Sequence, residues 1–197
     1  MDIVFASHNA HKRDEVKRIM DHILPAVMIR PPQGEPPVED GSSFADNALI
    51  KARAALTDDS MVVVADDSGI VVDALGGEPG INSARYSGTG DDTANLELLL
   101  RNLGNSDNRT AKFVCAAAVI VDGDEHVIER SWWGSIAREP HGDGGFGYDP
   151  IFIPTGFDVT SAQLSGRDKD LLSHRGQAFR QVALLLHRRL SPPDQQI

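Results

Sequence analysis

Two long β-rich stretches, Ala111 to Asp122 and His126 to Arg138, lie on either side of Gly123-Asp124, and no other feature constrains the fold of this 197-residue chain more. Strands joined by so short a link pair antiparallel, because a parallel partner needs a crossover of about a dozen residues or more. The earlier part of the chain has a different rhythm. Asp2 to Ala6 reads as a buried strand, Ser7-His8-Asn9 as a turn, and Lys12 to Ile23 as a helix with Val16, Ile19, Met20 and Ile23 on one stripe. Val27 to Arg30 is a second strand, residues 31–37 a proline-rich loop, and Phe44 to Leu56 an alanine-rich helix. Met61 to Ala65 is a β-branched strand that Asp66-Asp67-Ser68-Gly69 ends, with Ile70 to Leu75 a further strand segment. Beyond the exposed turns of residues 76–80, Asp91 to Leu103 reads as a helix, Ile151 to Ile153 as a short strand, and Ser173 as the cap of a last helix reaching about Leu190. Alternation thus gives way to consecutive strands. The expected class is α/β (mixed α+β), a mixed sheet flanked by helices, rather than a purely parallel doubly wound sheet.

Length and composition fit one domain over residues 1–190 with a flexible tail at 191–197. Hydrophobic residues at 41% and charged residues at 24% exclude a disordered chain. No apolar run approaches the ~18 residues of a membrane span and no basic-flanked apolar leader opens the sequence, so a cytoplasmic location without membrane association is expected. A net charge of -10 speaks against binding a nucleic-acid backbone, yet leaves room for a small anion held by a few lysines and a metal. The single cysteine, Cys115, lies in an apolar run and reads as a buried hydrophobe.

Several segments carry polar chemistry. Ser7-x-Asn9-x-x-Lys12 joins a strand to a helix, where free backbone amides and an ammonium can receive an anion, although serine and asparagine also make ordinary caps. Asp66 and Asp67 are adjacent carboxylates after an apolar strand; either a turn or a cation explains them. Glu39, from a separate loop, could join Asp67 in the sparse oxygen ligation that magnesium uses. The histidines lack zinc spacing. Gly142-x-Gly144-x-x-Gly147 matches a dinucleotide fingerprint in letters only, since Tyr148-Asp149-Pro150 follows where a helix is required. Beside Phe146 and Tyr148 it suits a loop closing over a flat ring, or a plain hairpin. His174 and Arg175 stand in the first turn of a helix, where positive groups oppose the macrodipole and call for an anionic or carbonyl partner, or a solvated cap.

Five blocks in order, Ser7-His8-Asn9-Ala10-His11-Lys12, Ala65 to Gly69, Ala74 to Tyr86, Gly144 to Pro150 and Ser173 to Gly176, resemble the inosine triphosphate pyrophosphatase family. The resemblance runs from about residue 3 to 190. It implies a homodimeric two-lobed protein with a nucleotide cleft, cleaving non-standard purine nucleoside triphosphates such as those of inosine and xanthosine to the monophosphate and pyrophosphate with Mg2+. By that resemblance Asp67 is general base and metal ligand with Glu39, and Ser7, His8, Asn9, Ala10, His11, Lys12, Lys51 and Lys169 engage phosphates. Ser68, Phe146, Gly147, Tyr148, Asp149, His174 and Arg175 form the nucleoside side. Asn82 where tyrosine is common, Asp46 where glutamate is usual and Gln163 for a frequent glutamate depart from the pattern outside the proposed catalytic groups. The competing readings are a pyrophosphatase for another damaged nucleotide and a non-catalytic nucleotide sensor.

Overall fold

The computed structural model describes residues 2–25, 27–57 and 62–190. Their strands are β1 (Asp2–Phe5), β2 (Met28–Arg30), β3 (Val62–Val72), β4 (Thr110–Val121), β5 (Asp124–Ile136) and β6 (Phe152–Pro154), in the sheet order β2-β1-β3-β4-β5-β6. The helices are α1 (Ala10–Asp21), α2 (Phe44–Ala54), α3 (Asp92–Leu103), α4 (Gly166–Leu172) and α5 (His174–Leu190). β1 pairs parallel with β2 and β3, while β5 pairs antiparallel with β6, so the sheet is mixed as expected. Met61 and the tail at 191–197 lie outside the described residues.

The chain divides into two compact units, one of residues 1–67, 115–130 and 175–197, the other of 68–114 and 131–174. In the first unit, strand alternation sorts the core. Val62, Val64, Cys115, Ala117, Val119 and Val121 pack with α1 and α5, whose Val16, Ile19, Met20, Phe179 and Val182 supply the apolar stripe. Val63, Ala65, Ala116, Ala118 and Ile120 point the other way, onto Ala48, Ala52 and Ala55. Both faces are covered, which is why these strands are apolar without alternation. In the second unit, Leu96, Leu99 and Leu103 of α3 pack with Ile70, Val72, Phe113, Trp132 and Phe152.

The structure departs from the sequence expectation in several places, one of them Asp73–Leu75, a short 3-10 helix where strand was expected to continue. β3 does not end at Asp66 but runs on through Gly69 to Val72, because ion pairs and side-chain hydrogen bonds compensate the carboxylates. The hairpin turn sits one residue earlier than Gly123-Asp124: Asp122 (φ 52°) and Gly123 (φ 82°) occupy the two left-handed positions a tight hairpin demands, and Asp124 opens β5. α4 was not foreseen. Ser165 caps it, accepting from the Asp168 amide at 3.1 Å.

Candidate active site

The candidate residues form two groups, one in each unit. In the first unit, Asn9 caps α1 by accepting from the Lys12 amide at 3.1 Å, and Ser7 Oγ accepts from the Asn9 amide at 3.3 Å. Arg13 donates to the Ser7 carbonyl at 3.1 Å and the His8 ring is 3.2 Å from the Gly34 carbonyl, which fixes the turn from both ends. His8, Asn9, Ala10 and His11 are exposed at the head of the helix, and Lys12 is half-buried.

The adjacent carboxylates do not confront each other, since successive residues of a strand face opposite ways. Asp66 follows Val64 toward α1 and α5. There Lys12 Nζ lies 3.1 Å from Asp66 Oδ2 and an Arg175 nitrogen 3.4 Å from the same oxygen, while another Arg175 nitrogen is 2.7 Å from Glu15 Oε2. Burial alone would raise the Asp66 pKa, but Lys12, then Arg175 and Lys51, outweigh it and hold the carboxyl well below the usual range. Arg175 is likewise held in its charged form: burial works against the charge, and Asp66 and Glu15 prevail.

Asp67 follows Ala65 toward α2. Lys51 Nζ donates to Asp67 Oδ1 at 2.9 Å and stands 3.5 Å from Glu39 Oε1. Burial would lower the Lys51 pKa, yet Asp67, Asp66 and Glu39 together raise it, so the ammonium persists. Asn47, fully buried, completes this arrangement: its amide donates to Asp67 Oδ2 at 3.3 Å and its carbonyl accepts from the Gly41 amide at 2.9 Å. A Cβ at Gly41 would meet Asn47 Oδ1 at 2.6 Å. One side chain therefore ties the Glu39 loop to the Asp67 strand, a role the sequence reading missed because a mid-helix asparagine carries no periodic signal. Glu15 was missed for the same reason.

Glu39 and Asp67 are two hard carboxylates sharing one ammonium, a donor set that suits a magnesium ion completing its shell with phosphate and water. Among the described residues no group of three or more acidic, histidine or cysteine side chains forms a closed metal site.

In the second unit, the glycine-rich segment folds around Asp149, which is buried. Asp149 Oδ2 accepts from the Phe146 amide at 2.8 Å and pairs with Lys169, and Oδ1 accepts from Ser161 Oγ at 2.8 Å. Gly145 has φ +73°, and a Cβ there would fall 2.0 Å from Asp149 Oδ2, so only glycine fits. Lys169 Nζ also lies 5.0 Å from the Phe146 ring centroid. Lys169 thus belongs with Asp149 and Phe146, whereas Lys12 and Lys51 serve the first group. The Tyr148 hydroxyl donates to the Ser83 carbonyl at 2.8 Å, and the Gly147 amide donates to Asp92 Oδ2 at 2.9 Å. A short 3-10 turn, Asp149–Ile151, follows in place of the helix a dinucleotide fingerprint needs. Ser68 is half-buried in β3. His174 stacks on Phe113 with ring centroids 4.7 Å apart and planes 9° apart, and on the Trp132 side the separation is 6.5 Å. His174 and Arg175, neighbours in sequence, therefore serve different units: the imidazole joins an aromatic stack, the guanidinium the carboxylates Glu15 and Asp66.

The sequence from residue 3 to residue 184 matches the Ham1 family. The dITP/XTP pyrophosphatase of Leifsonia xyli subsp. xyli is 47% identical over 195 residues, covering 97% of this chain and 98% of its own. The protein of the same name from Nocardia farcinica is 48% identical over 190 residues, covering 91% and 92%. Among solved structures, the Ham1 protein of Staphylococcus aureus matches with a TM-score of 0.84 and 39% identity over 96% of this chain and 100% of its own. The nucleoside-triphosphatase / dITP/XTP pyrophosphatase of Mycobacterium abscessus matches with a TM-score of 0.72 and 45% identity, covering 94% and 100%.

Proposed function

The chain belongs to the Ham1 family, and from that membership together with the carboxylate arrangement on β3 we propose that it acts as a pyrophosphatase on non-standard purine nucleotides. It hydrolyses deoxyinosine and xanthosine triphosphates, the substrates its relatives' names print, and by the family resemblance inosine triphosphate, to the nucleoside monophosphate and pyrophosphate. The observation that carries the reading is Asp67, a strand carboxylate oriented by Lys51 and Asn47 with Glu39 on the same ammonium.

In this proposal the first group handles the triphosphate. Asp67 accepts a proton from, or orients, the water that attacks the α-phosphorus. Lys51 stays charged, so it offsets the phosphate charge, and Lys12 retains donors beyond the one it spends on Asp66. Ser7 and the exposed turn from His8 to His11 present backbone and side-chain donors at the start of α1. Glu39 and Asp67 would hold magnesium, which supplies charge neutralisation and a more acidic bound water when present. An aspartate has a reference pKa of ~3.9, so positioning and charge stabilisation must provide most of the acceleration.

The second group takes the nucleoside. Phe146 offers a ring face to the base, and the His174 imidazole and the Tyr148 amide serve as donors beside Ser68, Gly147 and Asp149, with Lys169 fixing Asp149 and Arg175 following His174. A 6-keto purine satisfies such donors, whereas the amino group of adenine leaves them unpaired. The family resemblance carries a homodimer into the proposal, and the sequence expectation carries a cytoplasmic setting; no helix among the described residues is long and apolar enough to cross a membrane.

Pyrophosphate release from a panel of purine and pyrimidine triphosphates, with and without magnesium, tests the reading. Inosine triphosphate should be preferred over adenosine triphosphate by at least ~10²-fold in kcat/KM, and chelation should abolish release. Equal kcat/KM for the two purines overturns the substrate assignment, and binding without any hydrolysis points to a sensor.

A further inference from the structure

The loop of residues 76–86 has no part in the function above, yet its contacts place it where β3 meets the base-side loop of the second unit. Ser83 is 5% exposed. Its hydroxyl accepts from the Ile70 amide at 2.9 Å and donates to the Gly80 carbonyl at 2.6 Å, and its own carbonyl accepts the Tyr148 hydroxyl at 2.8 Å. Gly69 makes the approach possible, since a Cβ there would stand 2.4 Å from both Gly80 O and Ser83 Oγ.

The segment that follows Ser83 is itself fastened. Asn95 donates to the Ala84 carbonyl at 3.1 Å and accepts from the Ser87 amide at 2.8 Å. Asp92, three residues before Asn95, accepts the Gly147 amide at 2.9 Å, so two successive residues of the base-side loop are tied to one braced segment. Tyr148 remains a donor, because burial first, then Tyr86 and Asp92, push its hydroxyl pKa up.

We propose that Ser83 is a positioning residue for base selection: through Ile70 on one side and Tyr148 on the other it sets the conformation of the Phe146 to Asp149 loop before a nucleotide arrives. Discrimination between a keto and an amino group needs donors held to within ~0.5 Å, and a loop already in place loses less freedom on binding. Ser83 acts only through its neighbours. The inference rests on the assignment of that loop to the base.

The test compares wild type with Ser83→Ala, which removes only the hydroxyl, and Tyr148→Phe, which removes only the tie from the loop. Steady-state kinetics with inosine and adenosine triphosphates are combined with amide hydrogen exchange of the nucleotide-free protein. For Ser83→Ala the KM for inosine triphosphate should rise about tenfold with kcat within about twofold, narrowing the preference over adenosine triphosphate. In both variants residues 146–149 should exchange faster than in wild type while α1 and α5 do not change. Wild-type selectivity together with wild-type exchange overturns the proposal, as does a loss of kcat on both nucleotides with KM unmoved. Should Ser83→Ala fail to fold, Tyr148→Phe, which leaves the Ile70 and Gly80 bonds in place, decides by the KM for inosine triphosphate and by exchange. If wild type releases no pyrophosphate from inosine triphosphate, the functional reading fails, and the exchange comparison still decides the role of Ser83.

Discussion

Asp66 and Asp67 differ by one position in the strand and by everything around them. Asp66 is locked between Lys12 and Arg175, whereas Asp67 faces Lys51, Asn47 and Glu39, the arrangement on which the proposed reaction rests. Asp67→Asn keeps the size of the side chain and removes its basicity and charge. It should lower kcat by at least ~10²-fold while the folded circular dichroism spectrum persists; a folded variant with wild-type turnover would remove Asp67 from the mechanism. Cys115 tests burial in a different way. Its thiol is pushed up to about 12, first by burial and then by Asp66, with Arg175 and Lys12 pulling the other way. A raised native pKa means the folded state keeps its proton where the unfolded chain loses it. The resulting stability is complete below the unfolded value of ~8.5 and disappears as pH rises through about 12. Native protein at pH ~8 should therefore resist a thiol reagent that labels the denatured chain at once, and rapid native labelling would contradict the buried placement.

At the scale of elements, β3 decides most. Asp-Asp-Ser-Gly has the composition of a turn, and local reasoning ended the strand there; tertiary ion pairs carry it through to Val72. Gly69 is required by close approach rather than by turn geometry, and Gly69→Ala should destabilise the protein by about 1 to 3 kcal/mol in denaturant titration, with an unchanged midpoint refuting the tight packing against Gly80 and Ser83. The helices α1, α2 and α3 were legible because each pairs an apolar stripe with a polar cap, Asn9, Ser43 and Asp91. α4 was not. Its seven residues leave Leu171 and Leu172 exposed, so it has no buried stripe for periodicity to find.

For the whole molecule, the reaction is the test. Turnover in isotopically labelled water should place the label in the nucleoside monophosphate, because attack at the α-phosphorus expels unlabelled pyrophosphate. Label in orthophosphate with accumulation of the diphosphate would move the attack to the γ-phosphorus and refute the proposed cleavage. The resemblance of five ordered blocks pointed to this chemistry before any coordinates, since spaced motifs survive in the linear chain. What a linear chain does not display is which side chains share a charge. The chain passes from one compact unit to the other between Asp67 and Ser68 and between His174 and Arg175, so sequence neighbours act in different surroundings. The sequence by itself determined the mixed α/β class and the apolar stripes of the helices, because hydrophobic period is local, and its spaced motifs, through the family resemblance, supplied the candidate residues. Only the tertiary structure decided that Asp66 pairs with Lys12 and Arg175 while Asp67 pairs with Lys51 and Asn47, that Asn47 joins the Glu39 loop to Asp67, and that Lys169 sits on Asp149. Each depends on a partner some 6 to 109 residues away, and a strand's two faces lead adjacent residues to different partners.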